Sequence, residues 1–136
     1  KNPTSKLTTV TDPSGLVYTT QETNTFRPAD ESSWFVGLVE RQTVTNTVPH
    51  TLPYQDSTQT KTSAYEYYPL SGALKRSTIE PENETLRTVT DFIYDENGLA
   101  SSATINGNGL ATRKSSTIYD GYGRLKSETN AIQLKG

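Results

Sequence analysis

The chain carries one short phrase twice. Ile93-Tyr94-Asp95-Glu96-Asn97-Gly98-Leu99 returns 25 residues later as Ile118-Tyr119-Asp120-Gly121-Tyr122-Gly123-Arg124-Leu125, and a weaker copy, Tyr67-Tyr68-Pro69-Leu70-Ser71-Gly72-Ala73-Leu74, stands 26 residues before the first. Internal periodicity of this kind decides architecture ahead of any local reading, because each copy is one supersecondary unit stabilised by its neighbours. The phrase also names its own geometry. A tyrosine closes a strand, a short carboxylate accepts hydrogen bonds from amides two residues on, and a glycine supplies the positive φ that the turn requires. Tyr94, Asp95 and Gly98, and Tyr119, Asp120 and Gly123, are therefore read as repeated hairpin turns.

The intervening text is strand-like. Leu86 to Tyr94 alternates, with Leu86, Thr88, Thr90, Phe92 and Tyr94 on one side and Arg87, Val89, Asp91 and Ile93 on the other. Leu38–Val48, Thr58–Tyr68 and Leu110–Tyr119 read as further long strands. A second kind of turn cluster, Asp12-Pro13-Ser14-Gly15, Glu80-Pro81-Glu82-Asn83-Glu84-Thr85 and Asn106-Gly107-Asn108-Gly109, alternates with the tyrosine phrase from Tyr68 onward at the spacing of a hairpin meander. Helical periodicity is almost absent; Pro28 to Phe35 is the best helical segment, one or two turns with Pro and acidic residues near its start. The fold expected is all-β: an antiparallel meander of hairpin repeats, eight to ten strands forming an open, curved sheet. The array runs over 1–136, with inserted loops at about 27–36 and 49–57.

Composition agrees with an ordered β-protein that has little core. Leu, Ile, Val and Phe together make only 26 of 136 residues, whereas Thr alone makes 23 and Tyr 8. Thr and Tyr favour pleated, half-buried surfaces. Low apolar content signals disorder only with high net charge, and 13 basic residues nearly cancel 15 acidic ones to leave −2. That balance gives no electrostatic pull toward nucleic acid or an anionic membrane. No apolar run is long enough to insert into a bilayer, and the chain has no Cys for disulfides or thiolate chemistry. The opening Lys1-Asn2-Pro3-Thr4 lacks both Met and an apolar signal region, so the chain is expected to be a fragment or processed piece of a longer protein. Asn83-Glu84-Thr85 is a glycosylation sequon, read here as a polar turn.

At these residues the chain resembles the YD-repeat family, also called Rhs repeats, whose unit reads Tyr-Asp-x-x-Gly-Arg-Leu. Tyr119 to Leu125 matches that unit in full, including Arg124; Tyr94 to Leu99 keeps all but the Arg, and Tyr68 to Leu74 keeps Tyr, Gly and Leu. Asn2-Pro3-Thr4-Ser5 looks like the tail of a related turn variant. Trp34-Phe35-Val36-Gly37-Leu38-Val39 looks like a segment common in toxin-associated members. The resemblance implies a ribbon of hairpins coiling into a hollow shell around a toxic domain, in bacterial secreted or cell-surface proteins. It implies neighbouring repeats and an enclosed toxin domain as partners, and a structural role for the repeats. Bacterial members carry a pair of Asp-Pro-x-Gly motifs in an autoproteolytic core. This chain has one, at Asp12 to Gly15, and Asp12 is read as a turn carboxylate.

No catalytic constellation stands out. His50 is the single histidine, in a loop and without a nucleophile motif. Metal ligation lacks donors in any recognised spacing, and no cofactor is called for. Asp95 and Asp120 would work as an acid–base pair only if the fold brought them together, and they are more simply backbone acceptors. Asn106-Gly107-Asn108-Gly109 lacks the Lys and helix of a phosphate loop. Aromatic residues Trp34, Tyr54, Tyr65 and Tyr67 are the candidate ligand-binding set, since aromatic faces stack on sugars and anchor interfaces. Tyr65 and Tyr67 equally suit packing within the sheet. The function expected is thus a structural repeat segment and not an enzyme. The rival is a carbohydrate- or receptor-binding module using the inserted loops, with a glycosidase a distant third. Open sheet edges are expected to let the fragment self-associate.

Overall fold

A computed structural model describes residues 2–49 and 57–133. Among them every regular element is a strand: β1 (Ser5–Thr11), β2 (Val17–Phe26), β3 (Val39–Val48), β4 (Ser57–Tyr67), β5 (Leu74–Ile79), β6 (Thr88–Tyr94), β7 (Ala100–Gly107), β8 (Thr112–Tyr119) and β9 (Leu125–Gln133). The strands form one open antiparallel sheet whose order is their order in sequence, with β1 and β9 at its edges. Contacts divide the chain into two units, residues 1–64 and 65–136, the boundary falling within β4.

In the first unit, β1 to β4 align threonines in rows. Thr9, Thr19, Thr47 and Thr58 stand side by side, and so do Thr23, Thr43 and Thr62. Hydroxyls meet across the strands, with Thr45 and Thr60 at 3.0 Å, and on the opposite face Thr20 donates to Asn46 at 2.8 Å. β-Branched rotamers and hydroxyl pairs give such a sheet cohesion without apolar cover.

The second unit, through β9, is more apolar. Phe92 stands opposite Ala103, which stands opposite Ser115, while Ile105, Arg113 and Ile132 form the adjoining row. On the other face Arg76 donates to Asp91 at 2.6 Å and also faces Glu66 at 3.7 Å. Even so, no described residue is fully buried, polar or apolar. Where a thin core was expected, the described residues form a sheet without a fully buried residue, in which only single side-chain atoms such as Asn24 Oδ1 and Ser102 Oγ are shielded from solvent.

The tip of 27–36 differs from expectation as well. Pro28 to Phe35 forms no helix; Asp30 and Phe35 exchange backbone hydrogen bonds at 3.0 and 3.1 Å across a tight turn. Asp30 Oδ1 accepts the Ser32 and Ser33 amides at 3.0 and 3.2 Å. Proline and acidic residues suit a helix start, but a segment this short cannot offset the cost of nucleating a helix when a side-chain acceptor closes the turn instead. Of the second inserted loop, His50 to Asp56 lie outside the described residues.

Candidate functional site

The repeated phrase folds into one hydrogen-bond frame. In the β6–β7 hairpin the Asp95 amide donates to the Leu99 carbonyl at 2.9 Å, and the Gly98 amide donates to the Asp95 carbonyl at 3.0 Å. Asp95 Oδ1 accepts the amides of Asn97 and Leu99, both at 2.9 Å. The β8–β9 hairpin repeats each bond 25 residues on, with Asp120, Tyr122, Gly123 and Arg124 at 2.9 to 3.0 Å. Gly98 and Gly123 have φ of 78° and 75°. This is a three-residue hairpin loop closed by a left-handed glycine, one of the common hairpin connections.

The frame corrects the register read from the sequence. Leu99 occupies the place of Arg124, and Ala100 that of Leu125, so Leu99 and Leu125 are not counterparts. Each hairpin then carries one extra residue on its second strand, Ser101 in one and Lys126 in the other. The β2–β3 connection has the same base: Phe26 stands where Tyr94 stands, the Arg27 amide donates to Leu38 at 2.9 Å, Gly37 has φ 75°, and Glu40 is the extra residue. Residues 28–36 thus lie between Arg27 and Gly37, which hold the places of Asp95 and Gly98 in the repeat turn.

At β4–β5 the frame is one residue wider. Tyr68 donates its amide to Ala73, and Gly72 to Tyr68, both at 2.9 Å. Tyr68, with Pro69 after it, therefore takes the aspartate's backbone role. Asp12 belongs to the same class, not to the second kind of turn: its amide donates to Leu16 at 3.0 Å, and its Oδ1 accepts Ser14 and Leu16 at 2.8 and 3.0 Å.

These bonds set the charge state of the carboxylates. The Arg124 amide, followed by its side chain, holds Asp120 below the ordinary carboxylate value; the Ser14 hydroxyl does so first for Asp12, and the Ser32 hydroxyl for Asp30. Each group is stabilised as an anion because donors converge on it. Arg124 adds Nε to Asp120 Oδ2 at 2.8 Å, and its guanidinium lies 5.2 Å from the Tyr122 ring centre.

The tyrosines link one hairpin to another. Tyr94 donates its hydroxyl to the Leu74 carbonyl at 2.9 Å, and Tyr119 donates to the Ala100 carbonyl at 3.0 Å. Leu74 and Ala100 hold the same position, two residues after the turn glycine of the preceding repeat. Tyr68 donates in the other direction, to Phe92 at 2.9 Å, and meets Tyr94 edge-on at 6.0 Å between ring centres. Tyr68, Pro69, Leu70, Ser71, Ile93 and Tyr94 line an open groove of about 460 Å³. None of these links was foreseen, because their acceptors are backbone carbonyls.

The aromatic set is dispersed along the chain. Trp34 sits at the tip of the 27–36 insertion with φ 57° and is 84% exposed. Tyr65 and Tyr67 are half-buried on β4, and Tyr54, like His50, lies outside the described residues. No group of three or more His, Cys, Asp or Glu is placed to hold a metal among the described residues. Compared with known proteins, the chain matches no family model, no curated protein and no solved structure.

Proposed function

We propose that the chain is a structural segment of a YD/Rhs-type repeat protein, supplying hairpins to the wall of a bacterial secreted or surface shell that encloses a toxin domain. The observation that carries this reading is the tyrosine link, in which Tyr94 and Tyr119 each tie their hairpin to the same carbonyl of the hairpin before. A device repeated with the period of the sequence serves assembly, since stacked units draw their stability from such neighbour contacts. Asp95 and Asp120 serve it too, as turn acceptors and not as catalytic acids. The test is cargo protection in the longer protein. A protease should spare the enclosed domain in the native particle and cut the same domain expressed without its repeats; equal cleavage of both overturns the shell reading.

A second reading rests on Trp34. The left-handed position that glycine takes in the repeat turns is here held by an exposed tryptophan, a strained conformation retained at a tip. An indole presented this way is a stacking platform for a sugar or a receptor side chain. Trp34 is the only tryptophan, so its fluorescence titrated with oligosaccharides reads the site directly. Saturable change lost in Trp34→Ala supports a binding module, and a flat response rejects it for those ligands.

A further inference from the structure

We infer that the β9 edge is a docking site for an antiparallel strand that ends in tyrosine, with the backbone carbonyl of Leu125 as the acceptor for that tyrosine's hydroxyl. The inference rests on the repeat-array reading and gives its interface a chemical rule. In each tyrosine link, the acceptor lies two residues after the turn glycine of the preceding repeat: Leu74 after Gly72, and Ala100 after Gly98. The third member of this series is Leu125, two residues after Gly123. The hairpin frame makes its orientation the same. Asp120 and Arg124 form the bonded pair of the β8–β9 turn, so the next pair, Tyr119 and Leu125, directs the Leu125 amide and carbonyl away from β8. Among the described residues β9 is the last strand of the sheet, and it is exposed along its whole length.

Three further features fit the same occupant. The extra residue Lys126 reproduces Ser101, so a strand arriving at β9 meets the bulge that β8 meets on β7. Leu99 of one turn lies 3.5 Å from where a Cβ on Gly123 would be, so successive turns stack closely and leave a matching surface for the next. The tyrosine requirement also selects against a second copy. The other open edge, β1, ends in Thr11-Asp12 and brings no phenol to Leu125. Strand addition at a sheet edge takes affinity from main-chain bonds and specificity from side chains at fixed places; the selecting side chain here is the terminal tyrosine.

The experiment uses a fluorescent peptide copying residues 110–125, which supplies β8 and its turn, together with the same peptide bearing Tyr119→Phe. Both are titrated into the intact 136-residue chain, and the site is mapped from amide chemical shifts of the labelled chain. The substitution lies in the peptide, so the fold of the chain is untouched. Expected are shifts confined to residues 125–133 and roughly fivefold weaker binding of the Phe peptide, the effect of one lost net hydrogen bond. Equal affinity of the two peptides overturns the tyrosine rule, and shifts on β1 or no binding at all overturn the site. Each of these results leaves the shell reading to its separate test of cargo protection.

Discussion

The Tyr119 hydroxyl lies 3.0 Å from the Ala100 carbonyl oxygen, joining a residue at the end of β8 to the first residue of β7. Nothing about Ala100 as a residue type brings this about. Its carbonyl is available because the Asp95 turn has already used the neighbouring pair of backbone groups, which turns the next carbonyl outward toward β8. The bond between hairpins is therefore a consequence of how each turn closes.

Removing the hydroxyls tests that coupling. Tyr94→Phe keeps the ring against Tyr68 and deletes only the bond to Leu74, so it should destabilise the chain by about 1 kcal/mol. Tyr119→Phe, whose bond is more exposed, should cost less. Urea unfolding of both variants gives the comparison, and an unchanged midpoint for Tyr94→Phe would mean the link carries no net stability.

The Asp120 turn should be sensitive to acid in a defined direction. Its folded pKa is depressed below the ordinary 3.8 by the Arg124 amide. The stability it adds is therefore complete above that value and lost as pH falls through the lower folded one. The advantage of the native chain over Asp120→Asn should persist at about pH 6 and shrink below about pH 4. Urea midpoints of the two proteins across that range check the sign, and a gap that widens on acidification would refute it.

Backbone conformation predicts opposite effects at two equivalent-looking positions. Gly98 has φ 78° with nothing within 4 Å of an added Cβ, so Gly98→Ala pays only left-handed strain, about 1–2 kcal/mol. Trp34 already carries that strain at φ 57°, and Trp34→Gly should relieve about 1 kcal/mol. Thermal melts of the two variants should therefore move in opposite directions.

Three Asn-Gly pairs invite deamidation, in which the glycine nitrogen attacks the asparagine carboxamide carbon, ammonia leaves, and water opens the imide to aspartate or isoaspartate. The Gly98 amide is held by Asp95 at 3.0 Å, and Asn106 sits in the β7 ladder with its Oδ1 accepting Thr112 at 2.7 Å. The Gly109 amide has no acceptor among the described residues and lies in an exposed turn. Peptide mapping after mild alkaline incubation should find isoaspartate first at Asn108; first modification at Asn97 or Asn106 would contradict this.

The sequence disclosed the architecture wherever local chemistry and period agreed. Thr88–Tyr94 lies within the stretch marked out by alternation and Thr112–Tyr119 within the strand read over Leu110–Tyr119, and Asp95, Gly98, Asp120 and Gly123 form turns because each residue type has one economical use there. It misled where one residue type serves two ends. Pro28 and Asp30 suit a helix start as well as a side-chain-closed turn, and only the short distance to Gly37 decides between them. It was silent on the tyrosine acceptors, because a carbonyl at Leu74, Ala100 or Leu125 leaves no mark in the alphabet of side chains.

The lack of any fully buried residue among those described has a calorimetric consequence. Unfolding raises heat capacity mainly by wetting apolar surface, and exposing polar groups lowers it. A threonine-rich sheet with no fully buried residue among those described has less of the first than a domain built around an apolar core. Its heat-capacity increment per residue should fall well under the usual globular figure, so its stability should bend only gently with temperature and decline slowly in the cold as well as in the heat.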